Sequence, residues 1–548
     1  MVPGPWGASR LGCKEISRKG VIIHMPYVTI GRAQYDAWPP NDEQTQTRLE
    51  NYYRARMLFK GKHYEVYERV QSWLNDQQDK GVVYIVCNFA GLISKVAADM
   101  LFGEVPKFIA GDEGSKEQEA LNEIVNNNRF STLNYEMALS GSWRGETIYK
   151  IRYGKFADWA DKNNRAIIEA VSPGIFWPIL EDDNVRGLRG GVFGWVKEMP
   201  KAGGGDGAKA GRKYLRLERQ LPGRIENELW LLEEDGRTIQ EQADLRVFPE
   251  YAELKESEET RFPGLLFEFV PNFRLDDEFW GLSDYYDMET VFDELNNRLS
   301  RVSRVLDKHE SPRLILPPGI MKLDERTGRY YIEKEALEAI EIDKNDTSVG
   351  DLPKYMTWDA QLEAAFKQIE MILEIGMMMS ETSPDVFGLN KGGLAESGRA
   401  LKFRLIRTLA KINRKKLYFD SALKNVCYIA QYLEAQWGNG PDPNNIDYRL
   451  EWRDGLPDDE YEMAQVEQVR TGNKATTSVE SAVRRLDGLE GSDLEDELAR
   501  IQEDELIGAP PAPEQPVGAA GAAAAGQGNL NLGFGDGGES GDQGAGVQ

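Results

Sequence analysis

The sequence predicts an α+β chain, mainly α-helical, with a β-rich stretch in its first half. Three observations carry this. Apolar residues recur at helical spacing over long runs on both sides of residues 145–275. Within that stretch the pattern changes to short alternating segments separated by Gly- and Pro-rich turns. From Gly508 onward the chain is Ala/Gly/Pro-rich without a Lys or Arg, a composition that buries too little apolar surface to offset chain entropy. We therefore expect a disordered tail over 508–548 and a flexible segment over 1–26.

The elements follow in order. Residues 41–75 read as helical, capped by Asn41-Asp42-Glu43. A helix over Asn88–Phe102 places Ile93, Val96, Ala97 and Met100 on one face and stops at Gly103. Helical patterns continue over Glu117–Asn127 and Thr132–Arg144. Strand candidates are Glu146–Tyr153, Ala166–Val171, Val192–Val196, Tyr214–Leu217, Glu228–Leu232 and Leu265–Phe269. From Ser283 to before Pro312, Met288, Val291, Leu295, Leu299, Val302 and Leu306 form a sustained helical stripe. A compact α/β insert follows, with a strand at Leu314–Leu316, a hairpin-like Gly328–Glu333 and a short helix at Lys334–Ala339. A second one-sided helix starts near Asp359 and carries Leu362, Phe366, Ile369 and Leu373. A loop with Asn390-Lys391-Gly392-Gly393 leads into a long helix to Trp437. Residues 457–505 read as three short acidic helices.

The 548 residues carry a net charge of −25, which argues against a general nucleic-acid binder that works by displacing counterions. Acidity equally serves solubility. Three cysteines, Cys13, Cys87 and Cys427, are too scattered for a disulfide framework, and three histidines offer no zinc set. No stretch reaches the length of a membrane span, and the first 24 residues lack the apolar core of a signal peptide.

Enzyme signatures are missing. There is no phosphate-binding P-loop, no G-x-S-x-G elbow and no HExxH. Catalytic residues, metal ligands and cofactors are accordingly expected to be none. Glu181-Asp182-Asp183 and Asp276-Asp277-Glu278 have the composition of metal sites but equally that of solvated turns. Gly392-Gly393 precedes a helix without following a strand, so a loop between helices accounts for it better than a phosphate cradle. One basic run stands out. Arg399–Lys416 holds eight basic residues with no acidic residue between Glu396 and Asp420. We expect Arg404, Arg407, Lys411, Arg414 and Lys415 to form one basic helix face, turned to DNA phosphates, to a neighbouring subunit or to solvent.

Four passages in fixed order carry a family resemblance. Asn88–Phe108 (NFAGLISKVAADMLFGEVPKF), Gly281–Pro312 (GLSDYYDMETVFDELNNRLSRVSRVLDKHESP), Met378–Ala400 (MMSETSPDVFGLNKGGLAESGRA) and the acidic Pro457–Glu505 are similar to the corresponding passages of tailed-bacteriophage portal proteins, siphovirus-like ones in particular. The glycine-rich Gly203–Gly211 insertion and the tail carry no such pattern. The resemblance implies a wing over 27–280 with its β-rich part at 145–275, a first stem helix over 281–312 and a clip over 313–358. It further implies a second stem helix over 359–382, a tunnel loop over 383–397, a long wing helix and connection over 398–456, and a helical crown over 457–507.

As site residues the resemblance implies Ser383, Pro384, Phe387, Asn390, Lys391, Gly392 and Gly393 in the loop facing the DNA channel. Partner contacts on the clip would involve Arg329, Tyr330, Lys334 and Glu335. The implied partners are other copies of the chain in a dodecameric ring, the terminase large subunit, the head–tail adaptor, the major capsid protein and scaffold, and double-stranded DNA passing through without sequence specificity; no membrane is implied. The implied location is the capsid portal vertex of the virion, with host cytoplasm during assembly. Competing readings are another virion structural or adaptor protein and a metal-dependent DNA-processing enzyme.

Overall fold

The computed structural model describes residues 27–77, 84–156, 163–199, 211–310, 313–315, 322–326, 328–331, 354–356, 362–389, 398–438, 440–453, 460–472, 475–489 and 491–508. The chain divides into two compact units, one ending at Asp458 and one beginning at Asp459. The expected segment 1–26, the insert helix at Lys334–Ala339 and the tail beyond Gly508 lie outside the described residues.

The first unit opens with a hairpin of β1 (Val28–Ile30) and β2 (Ala33–Tyr35), followed by α1 (Glu43–Phe59) and α2 (Glu68–Gln77). A single helix was expected over 41–75. The chain instead turns at Gly61, whose φ of 72° is left-handed, and Lys62 N–H returns to Met57 O. Then come α3 (Phe89–Phe102), β3 (Lys107–Ile109), α4 (Lys116–Asn127) and α5 (Phe130–Arg144). Asn88 caps α3 by accepting from Gly91 N–H, and Ser115 caps α4 by accepting from Gln118 N–H.

The β-rich part contains β4 (Glu146–Gly154), β5 (Arg165–Val171), β6 (Phe176–Glu181), β7 (Asn184–Met199), β8 (Arg212–Leu221), β9 (Arg224–Leu232), β10 (Ile239–Ala243), β11 (Ser257–Glu259) and β12 (Phe267–Pro271). Strands β6 to β10 run as an antiparallel meander, with β11 sharing an edge of β9; β12, β4 and β5 form a separate sheet. The sequence pattern located part or all of β4, β5, β7, β8, β9 and β12. It missed β6, β10 and β11. Pro178 interrupts the first, and polar residues fill the other two.

Next come α6 (Glu289–Glu310), β13 (Arg313–Ile315), β14 (Lys322–Asp324), β15 (Arg329–Tyr331), β16 (Lys354–Met356), α7 (Leu362–Met379), α8 (Gly398–Arg404), α9 (Ile406–Trp437) and β17 (Arg449–Glu451). Helix α6 begins later than the expected Ser283, because Asp287 sits at a left-handed φ of 62° and the helix cannot extend back through it. The insert is closed at its base by antiparallel pairing of β13 with β16, and β14–β15 form the expected hairpin. The expected single helix over 396–437 is divided at Leu405. Strand β17 pairs with β3, far away in sequence.

Two apolar cores fix the long helices. Phe292, Leu295 and Val302 of α6 pack with Ile369 and Met377 of α7 and with Phe89 and Ile93 of α3. Phe419, Leu423, Val426, Ala430 and Leu433 of α9 pack with α3, α4, α5 and the sheet of β4 and β5. Parts of the expected stripes open to solvent: Leu306 is 46%, Phe366 49% and Trp437 45% exposed.

The second unit contains α10 (Glu460–Thr471), α11 (Val479–Asp487) and α12 (Ser492–Gly508). Within it, buried Glu467 accepts from Arg470 at 3.2 Å and Arg485 at 3.1 Å. Among the described residues no helix is long and apolar enough to cross a membrane.

Candidate functional site

The loop after α7 is held at its root by a buried polar cluster, which grows out of two of the passages singled out in the sequence. The first is Gly281-Leu282-Ser283-Asp284. Gly145 ends α5 at a left-handed φ of 109°, and a Cβ on Gly281 would stand 2.1 Å from Gly145 O. Two backbones therefore cross where only glycine fits. Ser283 Oγ donates to Trp143 O at 2.8 Å and accepts from Tyr285 N–H at 3.0 Å, so the turn is pinned to the end of α5. This delivers Asp284 into the interior.

Asp284 accepts from Lys415 Nζ at 2.7 Å, Ser142 Oγ at 2.5 Å and Asn272 Nδ2 at 3.1 Å, and pairs with Lys411 Nζ at 3.4 Å. Lys415 also donates to Asn272 Oδ1. Ser142 continues the network to Ser94 at 2.9 Å, and Ser94 to the Tyr285 hydroxyl at 2.8 Å. Burial alone would raise the Asp284 carboxyl, but the ammonium groups of Lys411 and Lys415 outweigh it and hold it well below the usual carboxylate range. Two ammonium groups share this one carboxylate. Burial and the excess positive charge lower Lys415 to about 8.

The second passage is Ser380-Glu381-Thr382-Ser383-Pro384. Lys411 donates to Ser380 O at 3.0 Å, which ties the end of α7 to the same cluster. Ser383 N–H donates to Thr408 Oγ1 at 2.8 Å, and Ser383 Oγ caps the short turn Pro384–Phe387. Glu381 occupies a left-handed φ of 53° and accepts from Arg414. A left-handed conformation costs a non-glycine residue about 1–2 kcal/mol, so the contacts around it must hold the turn.

The expected basic face is therefore corrected. Lys411 and Lys415 are buried and consumed by Asp284, because they continue the stripe of Phe419, Ala422 and Val426 that α9 turns inward. Arg404 pairs with Asp385 at 3.7 Å and Arg414 with Glu381; Arg407 is exposed. Of the expected loop residues, Ser383 is buried and Pro384 exposed, while the Phe387 ring packs 5.9 Å from that of Phe89 instead of standing free. Asn390, Lys391, Gly392 and Gly393 lie outside the described residues. On the insert, Arg329 is exposed and Tyr330 lies opposite Leu323 in the β14–β15 hairpin; Lys334 and Glu335 lie outside the described residues.

Sequence reasoning missed Asp284, Asn272, Ser142 and Thr408 as anchors of the loop. The readable signal was the spacing 411, 415, 419, 422, 426, which sets two lysines in line with apolar residues. Such lysines need a buried partner.

The acidic clusters behave as turns. Asp182 pairs with Arg32 at 2.6 Å, and Asp276, Asp277 and Glu278 are exposed. Among the described residues no group of His, Cys, Asp and Glu is arranged to hold a metal ion. Cys87 and Cys427 are free thiols.

No curated protein matches the chain. The sequence profile of the family described as phage portal protein, SPP1 Gp6-like, matches residues 40–187 and 239–506. The gap between the two matched segments contains the Gly203–Gly211 insertion and strands β8 and β9. The match takes in both passages that build the polar cluster and extends over well over half the sequence, so the chain belongs to the SPP1 Gp6-like phage portal protein family.

Proposed function

We propose that this chain is the subunit of a dodecameric ring through which double-stranded DNA is packaged into a capsid and later ejected. Family membership carries the coarser role, a structural protein of the phage virion that assembles as a ring at a capsid vertex. In our reading, 281–312 and 359–382 are the stem, 27–280 with 398–456 the wing, 457–507 the crown, and 313–358 the clip. The clip docks the terminase large subunit during packaging in the host cytoplasm and the head–tail adaptor afterwards, through Arg329, Tyr330, Lys334 and Glu335. The outer surface meets the major capsid protein and scaffold. The ring itself is passive: the ATPase belongs to another protein, and DNA slides past the 383–397 loop without sequence-specific binding.

The observation that supports this reading most directly is the helix pair. Helices α6 and α7 pack through one face each, carry a strand-closed insert at their joined ends, and lead into a loop whose root is fixed by Lys411 and Thr408. A fixed root with a loop running on from it suits an element that must yield to a passing duplex and return. Electron microscopy of the purified protein should show rings with a central hole. Deleting residues 388–393 should leave those rings intact and reduce DNA packaged or retained per particle. Wild-type packaging and retention by the deletion variant would remove the gating role. Reversing charge at Lys334 or Glu335 should weaken terminase or adaptor binding and spare the ring.

A further inference from the structure

Helices α6 and α7 spend one face each on one another. Their opposite faces are left to solvent and carry opposite charge. On α6, Leu295, Leu299 and Val302 turn toward α7, and Arg301 and Arg304 turn away; both arginines are exposed. Among the described residues neither makes an ion pair. They rim a cavity of about 490 Å³ whose wall includes Val70, Tyr84 and Val305. On α7, Glu363, Glu370 and Glu374 are exposed, and their steps of seven and four residues place them on one stripe with exposed Lys367 between the first two, so the stripe is net acidic and its Glu370–Glu374 end carries no cation. Among the described residues these carboxylates make no ion pair either. Beside them runs an apolar stripe, with Met371 51%, Ile375 39% and Met378 68% exposed.

We infer that these two faces are the two halves of one contact between successive copies of the chain. Arg301 and Arg304 of one copy meet Glu370 and Glu374 of the next, and the methionine stripe seats against Val70, Tyr84 and Val305 of the cavity. Three features favour this occupant. The charges are complementary in sign, and the surfaces are complementary in form, a flexible apolar stripe against a hollow that offers Val70, Tyr84 and Val305 within a polar rim. The two faces also lie on opposite sides of a helix pair. A contact between different faces of identical subunits is heterologous and, when the rotation closes, generates a ring. A self-complementary patch would give only a pair. The inference rests on the ring reading above and names the residues that would hold it.

The test uses two full-length variants, R301E/R304E and E370K/E374K, purified separately and compared with the wild type by native mass spectrometry and sedimentation. Each variant alone sets like charges against each other. Its ring fraction should fall at least tenfold while circular dichroism and the urea midpoint stay near wild type. An equimolar mixture places every reversed face against a complementary one. Rings should return, with the two variants in equal numbers.

Wild-type assembly by either variant alone would overturn the inference, as would a mixture that stays dissociated. Normal rings with altered DNA retention would reassign the arginines to phosphate contact and overturn it as well. Should a reversed variant fail to fold, R301Q/R304Q and E370Q/E374Q replace it. Their rings should dissociate at a lower salt concentration than wild-type rings, and equal salt tolerance would count against the contact. A wild-type chain that is monomeric would defeat the ring reading itself, whereas wild-type rings insensitive to these changes would defeat only this interface.

Discussion

Two carboxylates lie against the same helix and are treated in opposite ways. Asp284 faces Lys411 and Lys415 of α9 and is held ionised far into acid. Glu268, on β12, faces Asn425 further along α9 and among the described residues has that amide alone as a side-chain partner, at 3.5 Å; burial pushes its carboxyl up to about 7. One site is a fixed ionic joint, and the other loses its charge near neutral pH. The difference teaches that burial alone does not decide a charge here. The deciding factor is which α9 residue stands opposite.

The sharpest way to break this contrast is to remove Asp284. D284N leaves two buried ammonium groups without their carboxylate and should cost about 3–5 kcal/mol, read as a lowered urea midpoint at pH 7. Because the folded carboxyl titrates below its ordinary 3.8, its contribution is complete above that value and is lost as pH falls toward the depressed one. The D284N profile should lack this acid loss. A midpoint within about 1 kcal/mol of wild type would mean the cluster is not a joint.

Glu268 should respond with the opposite sign. Its folded value of about 7 lies above its ordinary 4.5, so its ionisation lowers stability as pH rises from 4.5 to 7. E268Q should therefore be more stable than wild type at pH 8, by about 1–3 kcal/mol, and indistinguishable from it near pH 4. A constant offset across that range would refute the assignment.

Lys415 sharpens the comparison from the other partner. Its folded value of about 8 lies below its ordinary 10.5, so the unfolded chain binds more protons between these values and stability rises with pH there. K415M should flatten that rise, by about 1–2 kcal/mol over the window. The smallest effect belongs to the loop root. Arg414 is 56% exposed at its side chain, so R414A should change the midpoint by about 0–1 kcal/mol while making backbone amides near Glu381 exchange faster.

Much of this architecture was legible from periodicity. The stripes of α3, α6 and α9 were readable because burial on one face leaves a repeating pattern; β4 was readable from its alternation in sequence although its first six residues are all buried. The strands β6, β10 and β11 were not, because pairing with neighbouring strands sustains them where their own residues are polar or include a proline. The pairing of β3 with β17 has no local signature at all. The polar cluster was half legible. Its lysines sit in an apolar register, but which carboxylate meets them depends on the crossing of Gly145 and Gly281, a tertiary event. The basic run misled because the part of that face holding Lys411 and Lys415 is in register with Phe419, Ala422 and Val426, which α9 turns inward.

The pairing of Arg313–Ile315 with Lys354–Met356 brings the outgoing and returning strands of the insert side by side. The chain thus leaves the helix pair and rejoins it at a single point. A change of length between these two paired strands would therefore leave the spacing of α6 and α7 unaltered.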